Sequence, residues 1–147
     1  MRLSLQWLKD YVDVGDSPEA LAHRITMAGI EVGAVETLGE GIGDVVTAQI
    51  LEKGRHPDAD RLSLCKVTDG TETFDIVCGA TNMKAGDKVA LARVGAKLPG
   101  GMEIRKAKLR GQVSFGMMCS EREMGLSDSH EGILILPPDV ELGQRLV

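Results

Sequence analysis

Residues 62–78 have the sequence Leu-Ser-Leu-Cys-Lys-Val-Thr-Asp-Gly-Thr-Glu-Thr-Phe-Asp-Ile-Val-Cys, and this stretch decides the fold class. Apolar and polar side chains alternate on both sides of Asp69-Gly70, and a short Asp-Gly turn between such runs is typical of a β-hairpin. A second chain reversal is predicted at Pro99-Gly100-Gly101. Working outward from the hairpin, the same signals predict strands over residues 45–53, 62–68, 73–78, 87–94, 103–110 and 133–136.

These short strands within about 100 residues predict a mainly β fold, and an OB-fold five-stranded barrel is the small barrel that most often binds nucleic acid. We place this barrel at residues 45–147. One helical turn is predicted from Ser120 to Met124, because Ser120 can cap it and Gly125 can end it.

Residues 1–38 carry helical signals instead. Ser4 can cap a short first helix, and Ser17-Pro18-Glu19 marks the start of a second, which Gly29 can end. Residues 30–37 are predicted to form a strand. Two short helices and one strand bury little apolar surface, so the sequence predicts a small, incomplete α+β element that needs a neighbour.

Residues 39–44, Gly-Glu-Gly-Ile-Gly-Asp, separate the two patterns. A phosphate-binding glycine loop requires a strand before it and a helix after it, whereas here a strand follows. We therefore interpret this segment as a linker, because three glycines in so short a stretch make order entropically costly.

The charge of the chain is unevenly distributed. The 147 residues include 17 Lys and Arg against 22 Asp and Glu, which gives a net charge of −5. Residues 45–112 nevertheless carry 12 basic and 8 acidic side chains, between acidic flanks. An acidic total therefore does not exclude a nucleic-acid partner for the middle of the chain.

One predicted strand, residues 103–110, concentrates this basic character. Alternation would place Lys106, Lys108 and Arg110 on one face, and the opposite face would hold Arg105, Ala107 and Leu109 toward the core. Like charges on one face are costly unless they are solvated or matched by anions such as phosphates. The basic face of this predicted strand is therefore interpreted either as a solvated surface or as a phosphate-binding surface.

The loop from Arg55 to Lys66 is the richest in functional groups, with His56 among two aspartates. A metal or acid–base site has little support, because no second His or Cys lies at ligand spacing. Turn structure and contact with a polynucleotide remain as alternatives. Only Phe74 and Phe115 are aromatic in the barrel region, which favours backbone charge and shape, and hence folded RNA, over base-by-base reading of a single strand.

Several other classes of function lack a sequence signal. No apolar run approaches the length of a membrane span, and no signal-peptide core follows Met1. The odd number of cysteines, Cys65, Cys78 and Cys119, predicts no disulfide framework and favours a reducing compartment with buried thiols. No P-loop, nucleophile elbow or metal-binding HExxH motif is present, and no catalytic or metal-ligating residues are predicted.

Four motifs occur in order in the barrel region. They are His56-Pro57-Asp58-Ala59-Asp60-Arg61-Leu62, Ile76-Val77-Cys78-Gly79-Ala80-x-Asn82, Gly95-Ala96-Lys97-Leu98-Pro99, and Leu109-Arg110-Gly111-x-x-Ser114-x-Gly116-Met117-x-Cys119-Ser120. In order and spacing they resemble the tRNA-binding OB-fold domain shared by synthetase-associated proteins. The start of the chain, with Leu5-x-Trp7-Leu8-x-x-Tyr11-Val12 and Ala28-Gly29-Ile30-Glu31-Val32, resembles bacterial phenylalanyl-tRNA synthetase β subunits.

This resemblance implies an enzyme of two α and two β subunits that uses ATP and Mg²⁺ to join phenylalanine to tRNA(Phe) in the cytoplasm. The catalytic residues would belong to the α subunit, so we expect no catalytic centre and no bound cofactor in this chain. The family's β chains are several times longer, which leads us to expect a fragment whose element 1–38 is completed by sequence after the barrel.

The expected partners are tRNA(Phe) and the α subunit, with no membrane. The predicted tRNA-binding residues are cations and hydrogen-bonding side chains drawn from the four motifs and the basic strand: Arg55, His56, Arg61, Asn82, Lys97, Arg105, Lys106, Lys108, Arg110, Ser114 and Ser120. Two other functions stay open, a free-standing OB-fold homodimer acting as a tRNA binder or chaperone, and a protein-docking module within a synthetase. A redox or metal enzyme built on Cys119 and His56 has the least support.

Overall fold

The computed structural model describes residues 1–147, which form two compact units, Met1–Thr37 and Leu38–Val147. The first unit contains helix α1 (Leu5–Leu8) and helix α2 (Pro18–Met27). No helix of the chain has the length and apolar character needed to cross a membrane.

The predicted helix starts are confirmed. The hydroxyl oxygen of Ser4 accepts a hydrogen bond from the backbone N–H of Trp7, and Ser17 caps α2 through the N–H of Ala20 at 3.2 Å. The strand predicted over residues 30–37 is wrong, because this segment forms no ladder. A strand needs a hydrogen-bonded partner, and the first unit contains no other strand to provide one.

The second unit is mainly β. Its strands are β1 (Val45–Arg55), β2 (Ser63–Thr68), β3 (Thr73–Cys78), β4 (Lys88–Arg93), β5 (Ala107–Leu109), β6 (Gln112–Ser114), β7 (Gly116–Met118) and β8 (Ile135–Leu136). The main sheet has the antiparallel order β3-β2-β1-β4-β7, with β8 beside β4, and β5 and β6 form a separate hairpin. The four strands predicted between residues 45 and 94 are confirmed, with only their ends shifted.

The long strand β1 joins the two halves of the sheet. Its first part, Val45 to Gln49, pairs with β4, and its second part, Gln49 to Arg55, pairs with β2. The β1–β2 register shifts between Ile50 and Glu52, which leaves Leu51 as an extra residue. Such a bulge bends a strand and increases its twist, as closure of a small sheet requires.

The sheet closes between β3 and the chain around Ser114 and Phe115. The backbone N–H of Phe115 donates to the carbonyl of Asp75 at 2.9 Å, and the N–H of Val77 donates to the hydroxyl of Ser114 at 3.1 Å. Strands β1, β2, β3, β4 and β7 therefore form a nearly closed five-stranded antiparallel barrel of OB type, which confirms the predicted fold class.

The barrel unit has two cores, one on each side of β1 and β4. Ile50, Val67 and Leu91 belong to the first, and Val45 with Ala92 belongs to the second. Alternate residues of a strand face opposite sides, so β4 and the first part of β1, residues 45–50, are covered on both faces, whereas residues 51–55 of β1 are exposed. The second core includes Ala96, Leu98 and Ile104, which anchor the irregular chain after β4.

The basic strand predicted over residues 103–110 is wrong in extent and in facing. Only Ala107–Leu109 is a strand, and its side chains are all exposed, so Ala107 and Leu109 do not face the core. Arg110 adopts φ +52° in the reversal that leads to β6, which ends the alternation. Strand β5 is therefore exposed, whereas Ser114 at the end of β6 is buried against β3, and the β5–β6 hairpin replaces the predicted single strand.

The single helical turn predicted from Ser120 to Met124 is confirmed: the N–H of Met124 donates to the carbonyl of Ser120 at 3.3 Å, and Ser120 caps the turn by accepting from the N–H of Glu123 at 3.3 Å. The strand predicted over residues 133–136 is reduced to β8. Residues 39–44 belong to the second unit, and Ile42 is fully buried in the second core.

Candidate nucleic-acid interface

The β1–β2 loop, residues 56–62, presents two of the predicted arginines. Its ends are joined by the N–H of His56, which donates to the carbonyl of Leu62 at 3.1 Å. Arg55 is exposed at the end of β1 and forms an ion pair with Asp60 at 3.3 Å. Arg61 is exposed at the other end of the loop. Exposed ion pairs of this kind are weak, so Arg55 remains available to an external anion.

The β4–β7 segment, residues 94–115, presents the other predicted cations. Ala96, Leu98 and Ile104 are buried, and the N–H of Ile104 donates to the carbonyl of Ala96 at 2.8 Å. This anchoring fixes the backbone while it leaves the charged side chains in solvent. The exposed cations of the segment are Lys97, Arg105, Lys106, Lys108 and Arg110.

His56 joins the loop to the segment. Its side chain is buried, with 3% of the residue exposed. Nδ1 accepts a hydrogen bond from the N–H of Asp58 at 3.0 Å, so Nε2 carries the proton and donates to the carbonyl of Leu109 at 3.0 Å. A single neutral ring therefore holds the β1–β2 loop against the β5–β6 hairpin.

The other neutral residues predicted to contact tRNA are also engaged within the protein. Asn82 donates to the carbonyl of Ile133 at 2.9 Å and accepts from its N–H at 3.0 Å. The hydroxyl of Ser114 accepts from Val77 and donates to the carbonyl of Gly116 at 3.0 Å, while Ser120 bonds Glu123. The polar atoms of these three side chains form hydrogen bonds within the protein, although Asn82 is also exposed to solvent, as the predicted cations are.

Two features next to these cations were not predicted. Lys66 lies on the exposed face of β2 and forms an ion pair with Asp75 at 3.8 Å, and the ring of Phe115 lies 5.1 Å from the ammonium of Lys106. Strand alternation gives a usable signal for Lys66, since Cys65 and Val67 on either side of it are apolar. Phe115 has a weaker signal, because β6 and β7 are too short to show a period.

The three thiols are poor nucleophiles. Burial raises the pKa of Cys119 to about 12 and that of Cys65 to about 11, and burial also raises the pKa of Cys78. Thiols with such pKa values stay protonated near neutral pH. No three His, Cys, Asp or Glu side chains come together in a way that could hold a metal ion.

Comparisons with known proteins agree with this geometry. Residues 45–145 match a protein family described as "Putative tRNA binding domain". Solved structures with the same fold include a MetRS-related protein from Pyrococcus horikoshii, with TM-score 0.53 and 17% identity over 70% of this chain and 88% of that one. The C-terminal domain of Plasmodium vivax p43 gives TM-score 0.54 and 24% identity over 75% of this chain and 63% of that one.

The sequence relatives are phenylalanine–tRNA ligase β subunits. That of Syntrophotalea carbinolica is 54% identical over 98% of this chain, and that of Syntrophus aciditrophicus is 52% identical over 99%. In both comparisons the chain spans 18% of the relative's length. The chain therefore belongs to the tRNA-binding domain family and is homologous to a segment of the phenylalanine–tRNA ligase β subunit.

Proposed function

We propose that this chain is the tRNA-binding part of a phenylalanine–tRNA ligase β subunit and binds tRNA(Phe) mainly through phosphate contacts. The observation that carries the proposal is the hydrogen bond from the His56 ring to the carbonyl of Leu109, which brings the β1–β2 loop and the β4–β7 segment together. These are the loops between the first two and the last two strands of the barrel, where OB-folds commonly bind oligonucleotides. Both carry exposed cations.

The proposed roles divide by charge and by hydrogen bonding within the protein. The phosphate-binding cations are Arg55, Arg61, Lys97, Arg105, Lys106, Lys108 and Arg110. The four neutral residues, His56, Asn82, Ser114 and Ser120, position the backbone instead of contacting RNA. Phosphate contacts orient a nucleic acid without reading its sequence, so we expect recognition of tRNA shape.

In the whole ligase, the proposed domain would support ATP-dependent aminoacylation of tRNA(Phe) in the cytoplasm by an assembly of two α and two β subunits. By the family resemblance, ATP and Mg²⁺ would act at a catalytic centre on the α subunit. Residues 1–38 would be an element completed by other parts of the β subunit.

The test removes three charges from one loop. Replacing Lys106, Lys108 and Arg110 by Ala should weaken the binding of tRNA(Phe), measured by fluorescence anisotropy at low and moderate salt, without unfolding the barrel. The matched control replaces Lys84, Arg122 and Arg145, three exposed cations outside both loops, and should retain affinity. Both triple variants remove three positive charges, so they differ only in where those charges lie on the protein.

Equal affinity of the wild type and the hairpin variant would overturn the phosphate contacts proposed for that hairpin. Equal losses in both triple variants would show that only total charge matters. Tight binding of the α subunit without retention of tRNA would instead support a protein-docking module.

A further inference from the structure

Phe115 is an aromatic side chain on the outside of the barrel. Its neighbours Ser114 and Gly116 are buried, so alternation turns the ring outward, and 38% of the residue is exposed. Its position is fixed, because its N–H bonds the carbonyl of Asp75 where the barrel closes. The other aromatic of this unit, Phe74, is partly buried against the first core.

A groove of about 530 Å³ lies beside this ring, between strands β1–β3 and the β5–β6 hairpin. This volume falls within the range of about 300–1,000 Å³ typical of ligand pockets. Its lining includes Leu64, Cys65, Ile76, Val113 and Phe115, which are apolar or aromatic. The amide of Gln112 also lines it and offers both hydrogen-bond donors and an acceptor.

The charges that line the groove nearly cancel. Lys66 is paired with Asp75 at 3.8 Å, and the lining also includes one acid, Glu52, and one base, Lys53, whose ammonium donates to the carbonyl of Met83 at 2.9 Å. Two cations without an acidic partner lie beside it: the ammonium of Lys106 lies over the Phe115 ring, 5.1 Å from its centroid, and Lys108 pairs in register with Val113. A groove with apolar and polar lining, little net charge and cations beside it suits a nucleobase that displaces Lys106 from the ring, with the phosphates held outside by the cations.

From this arrangement we propose that the groove binds one unpaired nucleobase of RNA, stacked on the ring of Phe115. The inference rests on the proposed function, because the hairpin cations must hold the adjoining phosphates. Stacking tolerates any base, since every base has a π face, and therefore adds a preference for unpaired nucleotides rather than for a sequence. The site would favour RNA with an exposed loop or end over a continuous duplex.

The experiment uses the 147-residue chain and two probes with the same number of phosphates, an RNA stem–loop and a blunt RNA duplex. Phe115→Leu should weaken stem–loop binding by about 5- to 100-fold, as loss of one base–aromatic stack implies, and leave duplex binding unchanged. Phe115→Trp should preserve stem–loop affinity. The control Leu109→Ala shortens another exposed apolar side chain of the hairpin, 40% exposed, and should affect neither probe.

A second readout monitors the stack directly. In a Trp7→Phe background, the indole of Phe115→Trp is the single tryptophan, and the stem–loop should quench its fluorescence while the duplex should not. Equal weakening of both probes by Phe115→Leu, or an unchanged stem–loop affinity, would overturn the stacking site and leave phosphate binding intact. Absence of salt-dependent binding of either probe to the wild type would overturn the proposed function, and this site with it.

Discussion

At the residue scale, His56 is buried, and its hydrogen bonds position the segments that carry the proposed tRNA-binding cations. Its two ring nitrogens bond the backbone of Asp58 and Leu109, which lie on different segments. The bonds bring arginines of the β1–β2 loop and cations of the hairpin to one region. A buried donor that loses its partner costs about 1–3 kcal/mol, so these hydrogen bonds also contribute to stability.

We therefore expect His56→Ala to lower the free energy of unfolding by about 1–3 kcal/mol and to weaken tRNA binding. The loss of affinity would arise from a hairpin that is no longer held against the loop. Anisotropy titrations and urea denaturation measure the two effects. The exposed His23 of α2 supplies the control, and His23→Ala should change neither. An unaltered affinity in His56→Ala would show that the hydrogen bonds of His56 do not position the cations.

Asp69, in the β2–β3 turn, is a buried carboxyl whose ionised form is stabilised by its neighbours. Burial alone would raise the pKa of this carboxyl, but the N–H groups of Glu72 and Thr71, each at 2.8 Å, and the charge of Arg93 outweigh it and hold the pKa below its ordinary value. Asp69 Oδ2 forms an ion pair with Arg93. The ionised form therefore stabilises the fold.

A lowered pKa in the folded state gives stability that is fully present above the unfolded pKa of about 3.9 and is lost as the pH falls through the folded value. We expect Asp69→Asn to lower the free energy of unfolding by about 1–3 kcal/mol at neutral pH. In this variant the free energy of unfolding should also decrease less steeply than in the wild type as the pH falls. Urea denaturation between neutral and acidic pH measures both. The control Asp58→Asn, at an exposed loop carboxylate, should keep the wild-type dependence of the unfolding free energy on pH. The same pH dependence in Asp69→Asn and the wild type would contradict the role of Asp69.

At the scale of elements, the turn of the β5–β6 hairpin places a charged residue, Arg110, in a strained backbone conformation. Arg110 has φ +52°, a conformation that costs a non-glycine residue about 1–2 kcal/mol. The preceding strand is exposed on all three residues, so little packing offsets that cost. A cation is therefore retained at a position that glycine would occupy with less strain.

Two substitutions separate charge from strain at this position. Arg110→Gly and Arg110→Ala should weaken tRNA binding to the same degree, because both remove the guanidinium group. Arg110→Gly should be more stable than Arg110→Ala by about 1 kcal/mol, because glycine accepts positive φ. Thermal denaturation monitored by circular dichroism supplies the comparison, and equal melting temperatures would argue against strain at the turn.

The C-terminal strap, residues 141–146, completes the sheet beside the start of β1. The hydroxyl of Thr47 donates to the carbonyl of Glu141 and accepts from the N–H of Gln144 at 3.0 Å. The backbone of Thr47 also bonds Gly143 and Gln144, at 2.8 Å each. One side chain of β1 thus fixes a segment almost a hundred residues later in sequence.

Thr47→Val keeps the shape of the side chain and removes both hydroxyl bonds. We expect a loss of about 1–3 kcal/mol in unfolding free energy, because buried backbone groups lose their partners. Hydrogen exchange should quicken at Gln144 and Leu146, whereas protection of the β2–β3 hairpin should persist. Unchanged exchange in the strap would show that the backbone bonds alone hold it. Thr73→Val, at an exposed threonine of β3, serves as the control.

At the scale of the whole molecule, total charge and local charge have opposite signs. The chain is acidic overall, whereas residues 45–112 carry 12 basic and 8 acidic side chains. Surface charges separated by more than about 8–10 Å are largely screened at physiological salt, so the local excess governs binding.

Binding of tRNA should therefore depend steeply on salt. The logarithm of the binding constant should fall linearly with the logarithm of the salt concentration, and removing three phosphate-binding cations should reduce the slope by about 2–3, since each contact contributes roughly 0.7–0.9. Anisotropy titrations at a series of KCl concentrations give the slopes. A wild-type affinity that stays flat across the series would contradict phosphate binding by this protein.

Locally encoded features were predictable. Each correctly predicted feature depends on residues only a few positions apart: the helix starts at Ser4 and Ser17, the turn at Asp69-Gly70, and strands β2 and β3. The predicted strand 30–37 failed because pairing requires a partner that local pattern cannot supply. The predicted strand 103–110 failed because Arg110 and Gly111 reverse the chain, and its apolar residues are not core residues.

The sequence by itself determined the barrel class, its first four strands, the family resemblance and the basic middle region, because period-two patterning, turn residues and motif spacing are local properties. It did not predict β7, the fifth strand of the barrel, because three residues are too few to show a period. Only the tertiary structure decided that His56 is buried and links the β1–β2 loop to the hairpin, that the side chains of Asn82, Ser114 and Ser120 bond backbone groups, and that Phe115 faces a groove. The physical reason is that burial and hydrogen-bond partners depend on segments far apart in the chain, which meet only when the barrel closes.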